Sequence, residues 1–282
     1  MTPVATLDAT LRRRTQHAGG NVDVVIVEDA AAVAERAAAQ IAALIQRTPG
    51  LVLGLATGSS PVGTYDALAV RVRSGELDCS AVSGFALDEY AGIDYAHPES
   101  YHAVIRRTVT EPLGLDPDRV HVPDGNAADL AQAGEHYERL IAEAGGVDLQ
   151  LLGIGANGHI GFNEPISSFD SRTRMKTLSP QTRADNARFF DRLEDVPLQS
   201  ITQGIGTILA ARELLLVAQG ESKAAAVAAM VEGPLASRCP ASALQMHRRA
   251  TVIVDRAAAS QLEFIDYYEQ VERHRAGAVA AA

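Results

Sequence analysis

The segment from Leu152 to Pro165, LGIGANGHIGFNEP, contains the residues best suited to acid–base chemistry. It follows an apolar run typical of a buried strand, and four of the nine residues that start at Gly153 are glycine. Glycine lets a backbone turn tightly and approach a ligand, while His159 and Glu164 can accept and donate protons. A tight turn with a solvated histidine, and a glutamate near a helix start, is the structural alternative. We predict an active-site loop.

A second segment has the composition of an anion-binding site. The run LVLGLA leads into Thr57, Gly58, Ser59, Ser60 and Pro61, just before a helical pattern. Proline suits the first helical position, a hydroxyl can cap the helix, and the free N–H groups of a helix start favour phosphate. An ordinary helix cap is the alternative. The segment lacks the spacing and the lysine of a nucleoside-triphosphate loop.

Two cations have positions that suit an anionic ligand. Lys223 lies in the first turn of an Ala-rich helix, where a positive charge opposes the helix dipole by roughly 0.3–1 kcal/mol and a bound anion would reverse that cost. A surface lysine offset by Glu221 is equally compatible with the pattern. Arg188 is next to two phenylalanines in a cation-rich segment, residues 171–190, and its planar guanidinium group suits phosphate. A solvent-exposed charged face is the alternative explanation for most of the cations in that segment.

Two adjacent carboxylates, Asp88 and Glu89, follow the strand pattern VSGFAL. Neighbouring residues of a strand point to opposite sides, so one of the two can face a ligand crevice. Partial burial and the acidic neighbour would raise its proton affinity and make it a usable general base. A strand-terminal aspartate that caps the next turn is the alternative.

These segments require a sheet that brings them together. Short β-branched runs alternate with longer segments of helical period: VDVVIV, a helix over about 30–47, LVLGLA and a helix from Pro61, followed by VSGFAL, VDLQLLGI, LLLVA and ATVIV. This alternation predicts one α/β domain over residues 22–275, a Rossmann-like, doubly wound and mainly parallel sheet with helices on both faces. The ligand crevice of such a sheet lies beyond the carboxyl ends of its strands. Residues 1–21 and the Ala-rich tail, 276–282, are expected to be weakly ordered.

Composition excludes several classes of protein. The net charge of −10, from 35 acidic and 25 basic residues, argues against a nucleic-acid partner, although it leaves a small anion possible because local donors decide its binding. Cys79 and Cys239 form no disulfide or zinc motif, so we expect no metal and a reducing cytoplasm. The chain has no apolar run of eighteen residues and no signal-peptide pattern, so we expect an untargeted protein without a membrane partner.

Several long motifs together resemble the glucosamine-6-phosphate deaminase (isomerase) family, from about Val22 to the final helix. They are LGLATGSSPVGTY, FALDEYAG, HPESYH, LGIGANGHIGFNEP, SRTRMKTLSPQTRADNARFF and GESKAAAVAAMVEGP. The resemblance implies a hydrolase of amino-sugar metabolism and N-acetylglucosamine degradation. Such an enzyme converts glucosamine 6-phosphate and water into fructose 6-phosphate and ammonia, without a metal or redox cofactor.

The resemblance also implies residue roles. Asp88 would be the base that moves a proton between C2 and C1 of the opened sugar, and His159, supported by Glu164, would assist ring opening. Asn157 stands where several family members have aspartate, so it would support a cationic His159 less well, although an amide can still orient the ring. The residues expected to bind the phosphosugar are Thr57, Gly58, Ser59, Ser60, Arg188 and Lys223.

Regulation is a further implication of the resemblance. Regulated, hexameric members of the family have an N-acetylglucosamine 6-phosphate site, which the set Ser167, Ser168, Arg174, Lys176 and Tyr267 resembles in this chain. Other members are monomeric and unregulated. Both allosteric activation and a homo-oligomer therefore remain open.

Two rival functions share the expected fold. The 6-phosphogluconolactonases have a similar Gly-rich histidine loop, but the DEY and FNEP motifs favour the deaminase. Sugar-phosphate-sensing domains of some bacterial regulators do not turn over their ligand, and they carry a helix-turn-helix module. About twenty residues precede the first strand here, which is too few for that module.

Overall fold

The computed structural model describes residues 22–280 and contains ten strands in that part of the chain. In chain order they are β1 (Val22–Val27), β2 (Val52–Leu55), β3 (Ser83–Ala86), β4 (Asp88–Tyr90), β5 (Val120–His121), β6 (Leu149–Leu152), β7 (Arg174–Thr177), β8 (Gln199–Thr202), β9 (Glu213–Ala218) and β10 (Ala250–Asp255).

Seven of these strands form the main sheet, in the order β1-β10-β9-β6-β2-β3-β5, and every pairing is parallel. All residues of β2 and β6 are buried, as expected for strands covered on both faces. The predicted α/β fold, a mainly parallel Rossmann-like sheet, is confirmed. From β2 the order runs outwards through β3 to β5, and from β6 it runs in the other direction through β9 and β10, with β1 at the edge. The direction therefore reverses between β2 and β6, which is where ligands bind in such sheets.

Nine α-helical segments are present in residues 22–280. They are α1 (Ala30–Arg47), α2 (Ser59–Arg73), α3 (Tyr101–Ile105), α4 (Glu111–Leu113), α5 (Leu130–Glu143), α6 (Pro180–Asn186), α7 (Ile205–Leu209), α8 (Ala224–Val231) and α9 (Ile265–Ala280). A π-helical turn, Arg106–Thr110, joins α3 to α4.

Helix α1 shows how the sequence pattern becomes packing. Asp29 accepts a hydrogen bond from the backbone N–H of Ala32 at 2.8 Å and so caps the helix. The residues that recur at helical spacing form one buried stripe, and α1 packs against α2, β9 and β10. These buried residues are Val33, Ala37, Ala38, Ile41, Ala42 and Ile45.

A second, three-stranded antiparallel sheet, in the order β4-β8-β7, was not predicted from the sequence. The chain leaves the main sheet at Leu87, whose N–H donates to Leu55 O at 2.9 Å. The next residue, Asp88, pairs with Thr202 of β8. Asp88 therefore begins a strand of the second sheet and does not end a strand of the first, which corrects the sequence interpretation.

The expected start of α2 also needs correction. The helix begins at Ser59, so Pro61 is its third residue and not its first. Gly58 is the N-cap residue, with φ of +97°, and no side chain caps the helix. Glycine suits this position because other residues rarely adopt a positive φ.

The last described helix is α9, which packs against β1 and includes residues 276–280. The sequence predicts weak order for residues 276–282, and this stays a prediction. Residues 281–282 and the predicted N-terminal extension, 1–21, lie outside the described residues. No helix within residues 22–280 is both long and apolar enough to cross a membrane. Cys79 and Cys239 are buried free thiols.

Candidate active site

A cavity of about 330 Å³ opens where the loops after β2 and β6 meet. It brings together residues from all five segments that the sequence singled out, including Asp88 and His159. Glu164 and Asn157 do not line the cavity and contact each other behind His159. All six residues predicted to bind the phosphosugar line it: Thr57, Gly58, Ser59, Ser60, Arg188 and Lys223.

Asp88 is buried in the cavity wall, with 4% of its surface exposed. Burial, and next the negative charge of Glu89, raise the pKa of Asp88 to about 8. Its carboxylate accepts a long hydrogen bond from Thr202 Oγ1 to Oδ2 at 3.4 Å, and the backbone N–H of Phe162 also stabilises its charge. A Cβ atom on Gly161 would lie 3.3 Å from the same Oδ2, so the glycine leaves the carboxylate open towards the loop. This environment holds a carboxyl group of unusually high proton affinity.

His159 is oriented by a chain of hydrogen bonds. Its Nδ1 atom lies 2.7 Å from Asn157 Oδ1, and its backbone N–H donates to the same oxygen at 3.1 Å. Asn157 Nδ2 donates to Glu164 Oε2 at 2.9 Å, and Ser179 N donates to Glu164 Oε1 at 3.0 Å. Glu164 therefore fixes the amide, and the amide fixes the imidazole.

This arrangement also determines the tautomer of His159. Because the side-chain NH2 group of Asn157 donates to Glu164, the side-chain oxygen of Asn157 faces the ring. Nδ1 of His159 must therefore carry the hydrogen that this oxygen accepts. Nε2 is then the unprotonated nitrogen, and it has no hydrogen-bond partner among residues 22–280. Burial lowers the pKa of His159, an effect that the charge of Glu164 opposes. The ring is therefore a neutral proton acceptor at neutral pH.

The glycines of the loop allow this packing of the ring. A Cβ atom on Gly155 would lie 2.2 Å from His159 Cε1, so any larger residue would collide with the imidazole. The N–H of Gly155 donates to His159 O at 2.9 Å, and the N–H of Gly158 donates to Gly155 O at 2.9 Å. The loop thus folds back on itself beneath the ring.

The other end of the cavity is cationic. Gly58, with Ser59 and Ser60 in the first turn of α2, presents backbone N–H groups at a helix start. Lys223 is half-buried, and burial lowers its pKa, an effect that the charge of Asp185 opposes and that of Arg188 reinforces. The Arg188 guanidinium lies 4.6 Å from the ring centroid of Phe189. Neither cation forms a salt bridge within the described part of the chain, so both are available to an anion.

An aromatic wall of the cavity was missed by sequence reasoning. Tyr90, Tyr101 and Phe162 line it, and the rings of Tyr101 and Phe162 stack with centroids 5.8 Å apart. Asn186 Nδ2 donates to the Tyr90 hydroxyl at 2.9 Å, which ties α6 to β4. The motif HPESYH was a signal for Tyr101, but its residue types alone suggest no chemistry.

The residues of the predicted regulatory set lie outside the cavity. Ser167 is buried and donates to Glu164 O at 2.7 Å, and Ser168 contacts Asp170. Arg174 Nη1 donates to Asn163 Oδ1 at 2.8 Å, and Lys176 follows in β7. Tyr267 belongs to α9, and within the described residues no hydrogen bond or ring contact joins it to the other four, which are Ser167, Ser168, Arg174 and Lys176.

The side chains that line the cavity suit anion binding and proton transfer. Among residues 22–280, no group of three or more His, Cys, Asp or Glu side chains is arranged to hold a metal ion. The titratable groups that line the cavity include one histidine, one carboxyl group of high pKa and the cations of its positively charged end. Such a set can bind an anion and move protons.

Comparison with known proteins identifies close relatives. Residues 27–253 match the family model described as glucosamine-6-phosphate isomerases/6-phosphogluconolactonase. A glucosamine-6-phosphate deaminase of Streptomyces coelicolor is 57% identical over 255 residues, which cover 90% of this chain and 98% of that protein. One from Bifidobacterium longum subsp. infantis is 54% identical over 264 residues, 90% of this chain and 97% of that protein.

Solved structures give the same picture. A structure described as a monomeric glucosamine-6-phosphate deaminase is 43% identical, with a TM-score of 0.83, and the match covers 85% of this chain and 99% of that chain. A 6-phosphogluconolactonase from Trypanosoma brucei has a TM-score of 0.67 at 19% identity, over 86% of this chain and 100% of that chain. At that identity the second match supports the shared fold alone.

Proposed function

The chain belongs to the glucosamine-6-phosphate isomerase/6-phosphogluconolactonase family, and from that premise we propose that it is a glucosamine-6-phosphate deaminase. The reaction converts glucosamine 6-phosphate and water into fructose 6-phosphate and ammonia. The observation that carries the proposal is the pairing, in one cavity, of a neutral histidine with a buried carboxyl group of high pKa. The closely similar deaminases agree with it.

The first step is opening of the sugar ring. Glucosamine 6-phosphate is a closed hemiacetal, so opening requires removal of the proton on O1 and delivery of a proton to O5. His159 Nε2 is free to accept the O1 proton, while Nδ1 stays bonded to Asn157. Glu164, bonded to Asn157, stabilises the imidazolium that forms transiently, because its negative charge raises the pKa of His159. The imidazolium then returns the proton to O5.

The second step is the proton transfer between carbons. The open aldehyde acidifies the C2–H bond, and ionised Asp88 takes that proton while the substrate's ammonium group gives one to O1, which yields an enolamine. Asp88 returns its proton to C1, which leaves a protonated imine at C2. Water adds to the imine carbon, the C–N bond breaks, and ammonia and fructose 6-phosphate are released. A carboxylate with a pKa of about 8 is a stronger base than an ordinary aspartate, which suits removal of a carbon-bound proton.

Binding of the phosphate positions these reacting carbons. The N–H groups at the start of α2, together with Arg188 and Lys223, supply donors and positive charge at the cationic end. Fixing the phosphate there holds C1 and C2 near Asp88, so that the transfer needs no further ordering. We expect Lys223→Met to raise KM for glucosamine 6-phosphate far more than it lowers kcat.

The decisive assay compares two substrates. The purified chain is incubated with glucosamine 6-phosphate and, separately, with 6-phosphogluconolactone, and ammonia plus fructose 6-phosphate are measured against acid release. Ammonia with fructose 6-phosphate supports the proposal, and acid release alone would assign the lactonase reaction. Asp88→Asn should still bind the sugar phosphate but no longer exchange the C2 hydrogen with solvent. Retained exchange would rule out Asp88 as the base.

We further propose that any activation by N-acetylglucosamine 6-phosphate needs a second copy of the chain. Arg174 and Lys176 are in β7, whereas Tyr267 lies in α9, which packs against β1. Sigmoidal kinetics that become hyperbolic when the N-acetyl sugar is added would support activation. Hyperbolic kinetics that this ligand does not change would refute it. The cytoplasmic location also stays a prediction.

A further inference from the structure

Glu89, the neighbour of Asp88, has an unusually complete set of hydrogen-bond donors. Its side chain is fully buried, and Oε1 accepts from the backbone N–H groups of Tyr90 at 2.8 Å and Tyr101 at 2.9 Å. Oε2 accepts from His102 N at 2.9 Å and lies 2.9 Å from His102 Nδ1. Four N–H groups therefore converge on one carboxylate, and they match the acceptor-only character of its ionised form.

The donors come from a rigid element. Tyr101 and His102 open α3, where the first N–H groups have no partner within the helix. Ser100 caps the same helix by accepting from Ala103 N at 3.1 Å. The His102 ring stacks on Tyr95, with centroids 3.9 Å apart, which holds Nδ1 against Glu89. The negative charge of Glu89 is thus fixed in place by the start of a helix and one imidazole.

This fixed charge lies next to Asp88 but does not enter the cavity. Asp88 lines the cavity and Glu89 does not, as expected for neighbours on opposite sides of β4. The charge of Asp88 is stabilised by the long bond from Thr202 and by the backbone N–H of Phe162, which are fewer donors than the four that Glu89 has. Both side chains are buried, and solvent screens their mutual repulsion little. The Glu89 charge accordingly contributes to the raised pKa of Asp88, second only to burial.

No other fixed anion takes part from the elements packed around Asp88 in the described chain. Tyr90 of β4, Tyr101 of α3 and Tyr137 of α5 are close enough to feel its charge, but burial raises the pKa of each of them, so they are neutral when Asp88 ionises. Thr202 of β8 is uncharged. The remaining charged or titratable groups line the cavity itself: Glu99, Arg107, His159, Asp185, Arg188 and Lys223.

We propose that Glu89 is a positioning residue whose charge, held by the start of α3 and by His102, sets the basicity of Asp88. The inference rests on the proposed role of Asp88 as the base that removes the C2 proton. A more basic carboxylate removes a carbon-bound proton faster, so the fixed charge favours the chemical step. His102 moderates the effect, because its N–H group partly compensates the Glu89 charge.

Two variants should therefore shift the ionisation of Asp88 in opposite directions. Glu89→Gln removes the fixed charge, and we expect Asp88 to ionise roughly one pH unit lower, with a several-fold slower C2-hydrogen exchange at high pH. His102→Phe keeps a ring on Tyr95 but removes a donor to Glu89, and we expect Asp88 to ionise roughly half a pH unit higher. His102 is partly exposed, so the second variant is measurable even if Glu89→Gln does not fold.

Ionisation is read from the infrared carbonyl band of the protonated Asp88 carboxyl group, identified by its loss in Asp88→Asn. The band is titrated in the free protein, and the pH dependence of kcat/KM with glucosamine 6-phosphate is measured in parallel. Glu138→Gln is the matched control. Glu138 is also multiply bonded, to Thr173 and Thr207, but lies outside the cavity. This control should weaken the fold without moving the titration of Asp88.

The results separate two failures. Opposite shifts of the carboxyl band in Glu89→Gln and His102→Phe would support the inference. If the wild-type enzyme releases ammonia but neither variant moves the band, or both move it the same way, the inference is wrong and the proposed function stands. If the band shifts as expected but no ammonia is released from glucosamine 6-phosphate, the proposed function fails, and with it the catalytic meaning of Glu89.

Discussion

Replacing Asp88 by asparagine should make the protein more stable at alkaline pH while abolishing its activity. Asparagine has nearly the same shape, and its amide oxygen can accept the Thr202 hydroxyl hydrogen bond that Asp88 accepts at 3.4 Å. What the substitution removes is the need to hold a negative charge in a buried site beside Glu89. The activity and the instability of the wild-type protein would then share one origin.

The sign and the size follow from the raised pKa. Below pH 3.8, the ordinary pKa, Asp88 is protonated in the folded and unfolded states alike, and its contribution to stability is complete. As pH rises towards about 8, the unfolded chain loses this proton and the folded chain keeps it, so stability falls with pH. At 1.36 kcal/mol per pKa unit, the full loss is at most roughly 6 kcal/mol. Water in the open cavity reduces this, so we expect roughly 2–4 kcal/mol.

The assay is thermal unfolding of wild type and Asp88→Asn between pH 5 and pH 9. A gain of that size corresponds to a Tm about 5–10 °C higher at pH 9, and to a much smaller difference at pH 5. Asp148→Asn is the contrasting control, because Asp148 accepts from Val52 N at 2.8 Å and Arg212 at 2.6 Å. Asp148→Asn should be less stable than the wild-type protein at pH 9. Equal Tm values for wild type and Asp88→Asn at pH 9 would refute a raised pKa for Asp88.

Two further predictions concern the His159 loop, and a third concerns Ile166, the residue that follows it. Gly155→Ala places a Cβ atom 2.2 Å from His159 Cε1, so kcat should fall on the order of 100-fold, with near-normal phosphate binding by calorimetry. Asn157→Asp replaces the donor to Glu164 by an acceptor and places a carboxylate next to Nδ1 of His159, so the pKa of His159 should rise. NMR titration of the ring measures this pKa, and an unchanged or lower value would contradict the prediction. Ile166, with φ of +71° and 84% exposed, is a strained β-branched residue, so Ile166→Asn should stabilise the fold by roughly 0.5–1 kcal/mol, measured by urea unfolding; a loss of stability would argue against the strain.

Periodicity predicted six of the seven strands of the main sheet, because their apolar runs are long enough to stand out and the helices between them carry apolar stripes. The edge strand β5 was missed because it has only two residues, both half-buried. The second sheet was not predicted, and the reason is physical. In β7 the charged residues Arg174 and Lys176 are half-buried, whereas Met175 is exposed, so the strand shows the reverse of the usual alternation. Strand β4 has only three residues, too few to show any period. Their pairing with β8 depends on contacts between segments far apart in the chain.

The site was predicted more completely in residue types than in geometry. Histidine, glutamate and glycine in one loop indicate acid–base chemistry, but only the folded loop shows Asn157 between His159 and Glu164, with its amide oxygen towards the ring. That order fixes which imidazole nitrogen is free. The aromatic wall, which includes Tyr90 and Phe162, is formed by separate segments, so no local sequence pattern predicted it.

Asp88 and Glu89 show most clearly what the fold adds to the sequence. They are neighbours, both acidic and both buried, and no property of the two residue types says which one is the base. The turn of the chain at Leu87 and the pairing of Asp88 with Thr202 decide it. One carboxylate accepts from four N–H groups, and the other faces the cavity with weaker support from Thr202 and the Phe162 N–H. A one-residue slip of β4 would exchange the two environments, so the register of a three-residue strand selects the reactive group.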